Sequence, residues 1–312
     1  MPEQWVNTTY WIVFDPKVRG RVWGVMSGIH DLPRPKMWAR GSVAEFTGGV
    51  CRSEDGGRTW RTSSDGMPPA AATHILLDAR SPVDARVLYV AALGRGVYKS
   101  SDGGGHWSLE SGGIAGREPF AWRLVQDVNG VLYLVVARRS DDGSIGGAGD
   151  GALYRSGDSA EHWTKILLPA DCNGPSGLAV DPRNPQRFYL AAWGRRQQGH
   201  FTGGGIFLST DGGGAWRHVL TQDQHIYDVT VDPCDPGRLY ACGFGSSAWR
   251  SVDGGESWKR ISGFNFKWGH RVISDPADPE EIYITTYGGG VWHGPAESDS
   301  GPVEDVLPKS GE

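Results

Sequence analysis

Three carboxylates head the residues of this chain that are placed to do acid–base chemistry: Asp31, Glu45 and Asp223. General acid–base work needs one carboxyl group that holds a proton and a second that stays ionised. Asp31 and Glu45 both fall in residues 27–48, SGIHDLPRPKMWARGSVAEFTG, where His30, Arg34 and Trp38 surround them. A second set has the types that hold a ligand rather than transform it: Trp122, Arg138, Trp193, Arg195, His225, Tyr227, Trp268 and His270. Aromatic faces cover the apolar faces of a bound ring, and guanidinium groups hydrogen-bond hydroxyls and carboxylates.

Other chemistries have little support. The net charge of −5 gives no basic field to hold a nucleic acid through its phosphates. No apolar run approaches the length of a membrane span. The opening Met1-Pro2-Glu3-Gln4 shows no basic and apolar regions of a secretory signal. Cys51, Cys172, Cys234 and Cys242 lack zinc-ligand spacing and read as free thiols. The histidines form no metal-binding pair on one helix face, and the acids of SDDGSIGGAGDG do not match a calcium loop. The glycine runs open no helix that would cradle a phosphate. The reading therefore calls for no cofactor and no metal, and for neither nucleic acid nor membrane as partner.

The elements that position these residues come from a repeat. The phrase Ser-x-Asp-Gly-Gly-x-x-Trp reads SEDGGRTW at residues 53–60, SSDGGGHW at 100–107, STDGGGAW at 209–216 and SVDGGESW at 251–258. A degenerate copy, SGDSAEHW, occupies residues 156–163 and lacks both glycines. The aspartates Asp55, Asp102, Asp158, Asp211 and Asp253 are separated by 47, 56, 53 and 42 residues, a spacing suited to one four-stranded blade. Between these phrases runs an apolar strand, an Asp-Pro turn and a second strand with an aromatic, as in GLAVDPRNPQRFYLAAW at residues 177–193. Six copies of this hairpin against five of the turn phrase predict an all-β propeller of six blades, each of four antiparallel strands. The last unit has no turn phrase or fourth strand, and Gln4-Trp5-Val6-Asn7 resembles the missing strand, so the N-terminal strand is expected to close the last blade. The propeller is expected over residues 1–295, with residues 296–312 a polar, disordered tail.

The aspartates of the phrase have a local purpose. Each can accept N–H groups of its own turn, the glycines permit left-handed backbone, and the tryptophan buries a large ring. Five copies spread over separate units cannot converge on one substrate, so all five are assigned to scaffold. Function is expected on the longer, variable loops between second and third strands and between blades.

Repeated once per unit, the phrase resembles the BNR/Asp-box propellers, a superfamily that includes sialidases, family 74 xyloglucan-active glycoside hydrolases, sortilin-type receptors and photosystem II assembly factors. The resemblance covers residues 4–295 and is nearer to the family 74 enzymes than to the sialidases, whose Phe/Tyr-Arg-Ile-Pro phrase is absent. It implies a carbohydrate-active propeller, a glycoside hydrolase acting on a polysaccharide or oligosaccharide through paired carboxylates. The family's catalytic aspartate stands in an Asp-Ile-Gly-Gly context. Here the stretch reads Asp31-Leu32-Pro33-Arg34, keeping the acid and an aliphatic neighbour but neither glycine. Trp38, Trp122, Trp193 and Trp268 would be the sugar platforms. Two alternatives follow from the same scaffold: a non-catalytic binding or assembly propeller, and one part of a larger tandem-propeller enzyme. The family tendency is toward secreted or periplasmic proteins.

Overall fold

The computed structural model describes residues 8–28, 46–116, 118–137, 151–244, 248–261, 268–287 and 289–297. The chain divides into two compact units, Met1–Leu168 and Pro169–Glu312. Among the described residues there are only strands and turns, so no helix is long and apolar enough to cross a membrane.

The first unit holds three four-stranded antiparallel sheets in simple up-and-down order. They are β1 (Thr8–Phe14), β2 (Val22–Ser27), β3 (Gly48–Ser53) and β4 (Arg61–Thr62); β5 (Ala72–Leu77), β6 (Leu88–Ala92), β7 (Gly96–Ser100) and β8 (Ser108–Leu109); and β9 (Ala121–Gln126), β10 (Leu132–Val136), β11 (Ala152–Ser156) and β12 (Thr164–Ile166). The second unit holds β13 (Pro175–Val180), β14 (Phe188–Ala192), β17 (Gly205–Ser209) and β18 (Arg217–Leu220) as one sheet. A two-stranded ribbon, β15 (Arg195–Gln197) and β16 (His200–Thr202), interrupts that sheet's sequence. The next sheet is β19 (Ile226–Val231), β20 (Leu239–Gly243), β21 (Ala248–Ser251) and β22 (Lys259–Ile261); the last is β23 (Gly269–Ser274), β24 (Glu281–Thr286) and β25 (Val291–Pro295). Six sheets of this topology define the fold. It is a six-bladed β-propeller.

The burial pattern follows from stacking blade on blade. A middle strand has neighbours on both faces, so β6, β10, β14 and β20 are buried throughout, and their sequences LYVAA, LYLVV, FYLAA and LYACG are almost wholly apolar. The fourth strands β4 and β8 have both residues exposed. Between blades of one unit, apolar side chains form the core: Val25, Ala72, Val90 and Trp107 in one cluster of the first unit, and Tyr189, Ile206, Val229 and Leu239 in one of the second.

The last sheet has three strands among the described residues, as the missing turn phrase implies. The closing strand expected from residues 4–7 lies outside the described residues. Beyond β25, Ala296 is buried and donates its N–H to the Glu280 carbonyl at 2.7 Å, and Glu297 pairs with Arg250. All four cysteines are free.

The repeated turn has one geometry in all five copies. In the first, Ser53 donates its hydroxyl to Asp55 Oδ1 at 2.8 Å, Gly57 donates its N–H to Ser53 Oγ at 2.9 Å, and Thr59 donates its N–H to Asp55 Oδ1 at 2.9 Å. The degenerate copy keeps the same three bonds, from Ser156 to Asp158 at 2.7 Å, Ala160 to Ser156 at 3.0 Å and His162 to Asp158 at 2.9 Å. It does so with Ser159 and Ala160 at φ of 62° and 76°, the left-handed region where the other copies have glycine.

Candidate functional site

A shared backbone device shapes the candidate side chains. Every blade's first strand carries a one-residue bulge against its second strand, and the extra residues are Tyr10, Thr73, Trp122, Ser176, Tyr227 and His270. A bulge turns a side chain away from the regular alternation. Trp122, Tyr227 and His270, nominated from the sequence by residue type, sit at these bulges inside β9, β19 and β23. The bulged hydroxyls join neighbouring blades. Thr73 donates to the Trp122 carbonyl at 3.0 Å and Ser176 to the Ile226 carbonyl at 2.7 Å.

In the first unit the bulges make a packed layer. Trp122 is 5% exposed and meets Tyr10 edge-on at 5.9 Å between ring centroids. Beside it, the Arg123 guanidinium lies 4.6 Å over the Trp11 ring, whose centroid is 4.2 Å from that of His74. His30, Asp31, Arg34, Trp38, Glu45 and Arg138 lie outside the described residues.

In the second unit the candidates converge. Trp193, just past β14, makes an isolated bridge to His225, which precedes β19. Their rings are 4.7 Å apart, and Trp193 also lies 4.9 Å from Tyr227 and 5.7 Å from Phe244. From Phe244 the aromatic surface continues to Trp268 at 6.0 Å; from Tyr227 it continues through Tyr287 at 4.9 Å to His270 at 4.8 Å. At the other end Phe201, on the ribbon, meets His225 edge-on at 4.3 Å. Phe201, Phe244 and Trp268 are 49%, 40% and 37% exposed, so the surface reaches solvent. Five of the sequence-nominated residues, Trp193, His225, Tyr227, Trp268 and His270, thus belong to one continuous aromatic surface. Phe201, Phe244 and Tyr287 complete it.

Trp268 is held in an unusual backbone. Its φ is 63°, its N–H donates to the Phe244 carbonyl at 3.3 Å, and its own carbonyl accepts from Tyr287 N–H at 3.0 Å. A bulky residue in the left-handed region costs roughly 1–3 kcal/mol and persists only where its surroundings fix it. Here the ends of two blades do so, aiming the indole beside Phe244.

The polar groups around this surface are mostly spoken for. Asp223 is buried, and its carboxylate accepts His225 N–H at 3.0 Å and the Trp249 indole N–H at 3.3 Å. Asp228, the residue after the Tyr227 bulge, pairs with Arg271 at 3.0 Å, the residue after the His270 bulge. Gly177 occupies the same position in its blade, and a Cβ there would stand 2.4 Å from Asp228 Oδ1. Arg195 and His200 lie on the exposed ribbon.

A second grouping lies on the first unit's degenerate turn, where Asp158, Glu161 and His162 bring one ligand atom each within 4.8 Å of one another. All three are exposed, and Asp158 already accepts from Ser156 and from His162 N–H. A cavity of about 350 Å³ lies beside it, lined by Val131, Arg155 and Thr164 as well as Asp158 and His162.

Comparison with known proteins agrees with the fold. The chain is 28% identical over 165 residues to a xyloglucanase of a Paenibacillus species, a match that covers 47% of this chain and 16% of that protein. Among solved structures, the GH74 enzyme of Niastella koreensis superposes with a TM-score of 0.62 at 19% identity, covering 94% of this chain and 44% of that one. YCF48 from Cyanidioschyzon merolae superposes with a TM-score of 0.56 at 15% identity, covering 93% of this chain and 95% of that one. No protein-family model matches. The match spans well under a quarter of the xyloglucanase, and the structural likenesses carry the fold alone.

Proposed function

We propose that this chain is a carbohydrate-active propeller that binds a polysaccharide or oligosaccharide along the aromatic surface of its second unit. The observation that carries the reading is the run Phe201, His225, Trp193, Phe244 and Trp268, aromatic throughout and solvent-facing at both ends. Flat rings in series suit the alternating C–H faces of a sugar chain, and the xyloglucanase relatives support this ligand class. Hydrolysis is the finer proposal. It assigns Asp31 and Glu45 as the flanking acid and base, with His30, Arg34, Trp38 and Arg138 binding substrate nearby.

A non-catalytic binder is the second reading, and the state of Asp223 favours it. Both hydrogen bonds fix that carboxylate as an acceptor of neighbouring N–H groups, a positioning role rather than a proton-transfer role.

The deciding experiment pairs calorimetry with a hydrolysis screen over xylogluco-, cello- and xylo-oligosaccharides. Binding that weakens in Phe244→Ala supports the carbohydrate reading; no heat with any sugar overturns it. Turnover that falls at least a hundredfold in Asp31→Ala, with folding intact, supports the hydrolase. Binding without turnover leaves the binder.

A further inference from the structure

The ribbon β15–β16 carries a charge pattern found nowhere else among the described residues of its unit. The other arginines there are engaged: Arg183 with the Cys234 carbonyl, Arg187 and Arg217 with Glu256, Arg238 with Glu280, Arg250 with Glu297, Arg271 with Asp228, and Arg260 with a partner of its own. Arg195 and Arg196, adjacent and exposed, pair with no carboxylate among the described residues.

The register tells the two apart. Arg196 stands directly opposite Phe201, while Arg195 stands opposite Thr202. Side chains directly opposite in an antiparallel pair share one face of the ribbon. Phe201 is the ring that meets His225 at 4.3 Å, so the face bearing Phe201 and Arg196 is the face at the end of the aromatic surface. The turn joining the strands is fixed by Gln198 and Gly199 at φ of 49° and 88°, which gives the ribbon a tight two-residue loop. Asp223, a buried acid of the site, already accepts two N–H donors, and no ion pair joins it to Arg196 among the described residues.

We propose that Arg196 is a specificity-determining residue for a carboxylate-bearing sugar, so that the glycan bound along this surface carries a uronic acid at the ribbon end. The assignment rests on the carbohydrate reading and narrows its ligand class. A guanidinium beside an aromatic ring suits a uronate: the ring covers the sugar face while the planar fork takes the carboxylate through two parallel N–H bonds. A neutral sugar leaves that cation with hydroxyls alone.

The test is calorimetry with a xylo-oligosaccharide bearing glucuronic acid, the methyl ester of the same oligosaccharide, and a neutral xylo-oligosaccharide. Arg196→Gln and Arg195→Gln are compared with wild type, with unfolding curves confirming that the exposed ribbon leaves stability unchanged. The acid is expected to bind about fivefold or more tighter than its ester, with a preference that shrinks as salt rises and is lost in Arg196→Gln but kept in Arg195→Gln. Equal binding of acid and ester by wild type overturns the assignment while the carbohydrate reading stands. So does a preference that survives Arg196→Gln. Failure of all three ligands to bind while a xylogluco- or cello-oligosaccharide still binds overturns this inference alone; no heat with any of these sugars overturns the carbohydrate reading, and this inference with it.

Discussion

The Trp107 indole N–H donates to the Ser63 carbonyl at 2.7 Å, tying the turn of the second blade to the segment that follows β4 in the first. Trp163 repeats the bond one blade later, to the Glu110 carbonyl at 3.0 Å. Trp107 is 1% exposed, so its ring fills core space while its nitrogen satisfies a backbone acceptor. Trp107→Phe is expected to cost about 1–3 kcal/mol, the lost bond and a small void together, and Trp107→Ala about 3–5 kcal/mol. Trp60 is the control. Its indole donates to Gly57 of its own turn at 2.8 Å, so Trp60→Phe leaves no other blade's acceptor unpaired and is expected to cost less. Urea unfolding of the three variants checks the order.

Glycine in the turns is demanded unequally. Gly255 has φ of +85°, and a Cβ there would stand 2.6 Å from Tyr189 Cε1. That ring is fully buried, and its hydroxyl is held by the Gly254 carbonyl at 2.9 Å, so it cannot retreat. Gly255→Ala combines left-handed strain with overpacking and is expected to destabilise by about 2–4 kcal/mol. At the degenerate turn Ala160 already occupies the equivalent position, and its methyl group is buried. Ala160→Gly relieves strain but loses that burial and loosens the unfolded chain, so it is expected to stay within about 1 kcal/mol of wild type. A stabilisation of Gly255→Ala, or a large loss in Ala160→Gly, would contradict this account.

Most of the scaffold was legible because it is periodic. Residues 27–48, singled out in the sequence for Asp31 and Glu45, run from the end of β2 at Ser27 to the start of β3 at Gly48, between a second and a third strand, where function is expected. The five turns were legible for the same reason: Ser, Asp and Trp at fixed offsets name both the hydrogen bonds and the buried ring. The bulges were not, because one extra residue in a strand leaves no mark on an apolar pattern. Nothing in the sequence therefore set Tyr227 and His270 apart from the regular alternation of β19 and β23. Phe201 and Phe244 were missed because no residue type signals the ribbon pairing that places Phe201 or the neighbouring-blade contacts with Trp193 and Trp268 that place Phe244. Trp122 shows the converse: its type suggested a platform, whereas stacking between blades buries it.

Acid is expected to weaken the turns in a defined window. Asp55 is held at about 2, first by the Thr59 hydroxyl and then by backbone N–H and Ser53 donors. Asp158 is also at about 2, chiefly through the His162 N–H; at Asp253 burial opposes the shift, but hydrogen bonds from Ser257 and Ser251 outweigh it and bring it to about 2. A carboxyl whose folded value lies below its ordinary 3.8 stabilises the protein above pH 4. That stability is lost as pH falls through the interval down to about 2, where the folded state also takes the proton. The melting temperature is thus expected to be flat from neutrality to pH 4.5 on account of these groups and to drop below it. In Asp55→Asn the drop should be shallower and the starting value lower. An equally steep acid transition in the variant would show that the turn aspartates do not set it.

Trp268 joins backbone strain to the proposed ligand surface, so its two smallest replacements should separate them. Both Trp268→Ala and Trp268→Gly remove the ring beside Phe244, and both are expected to weaken oligosaccharide binding about tenfold, or 1.4 kcal/mol. They differ at the backbone, where φ is 63°. Alanine keeps a Cβ in the left-handed region, whereas glycine adopts that conformation without steric cost. Trp268→Gly is therefore expected to be as stable as Trp268→Ala or more stable, by up to about 1 kcal/mol, although glycine usually destabilises relative to alanine. The reverse order in urea unfolding would mean that the left-handed backbone is relaxed once the indole is gone, and that the ring holds the Phe244 and Tyr287 bonds in place. Unchanged binding in both variants would remove Trp268 from the ligand surface.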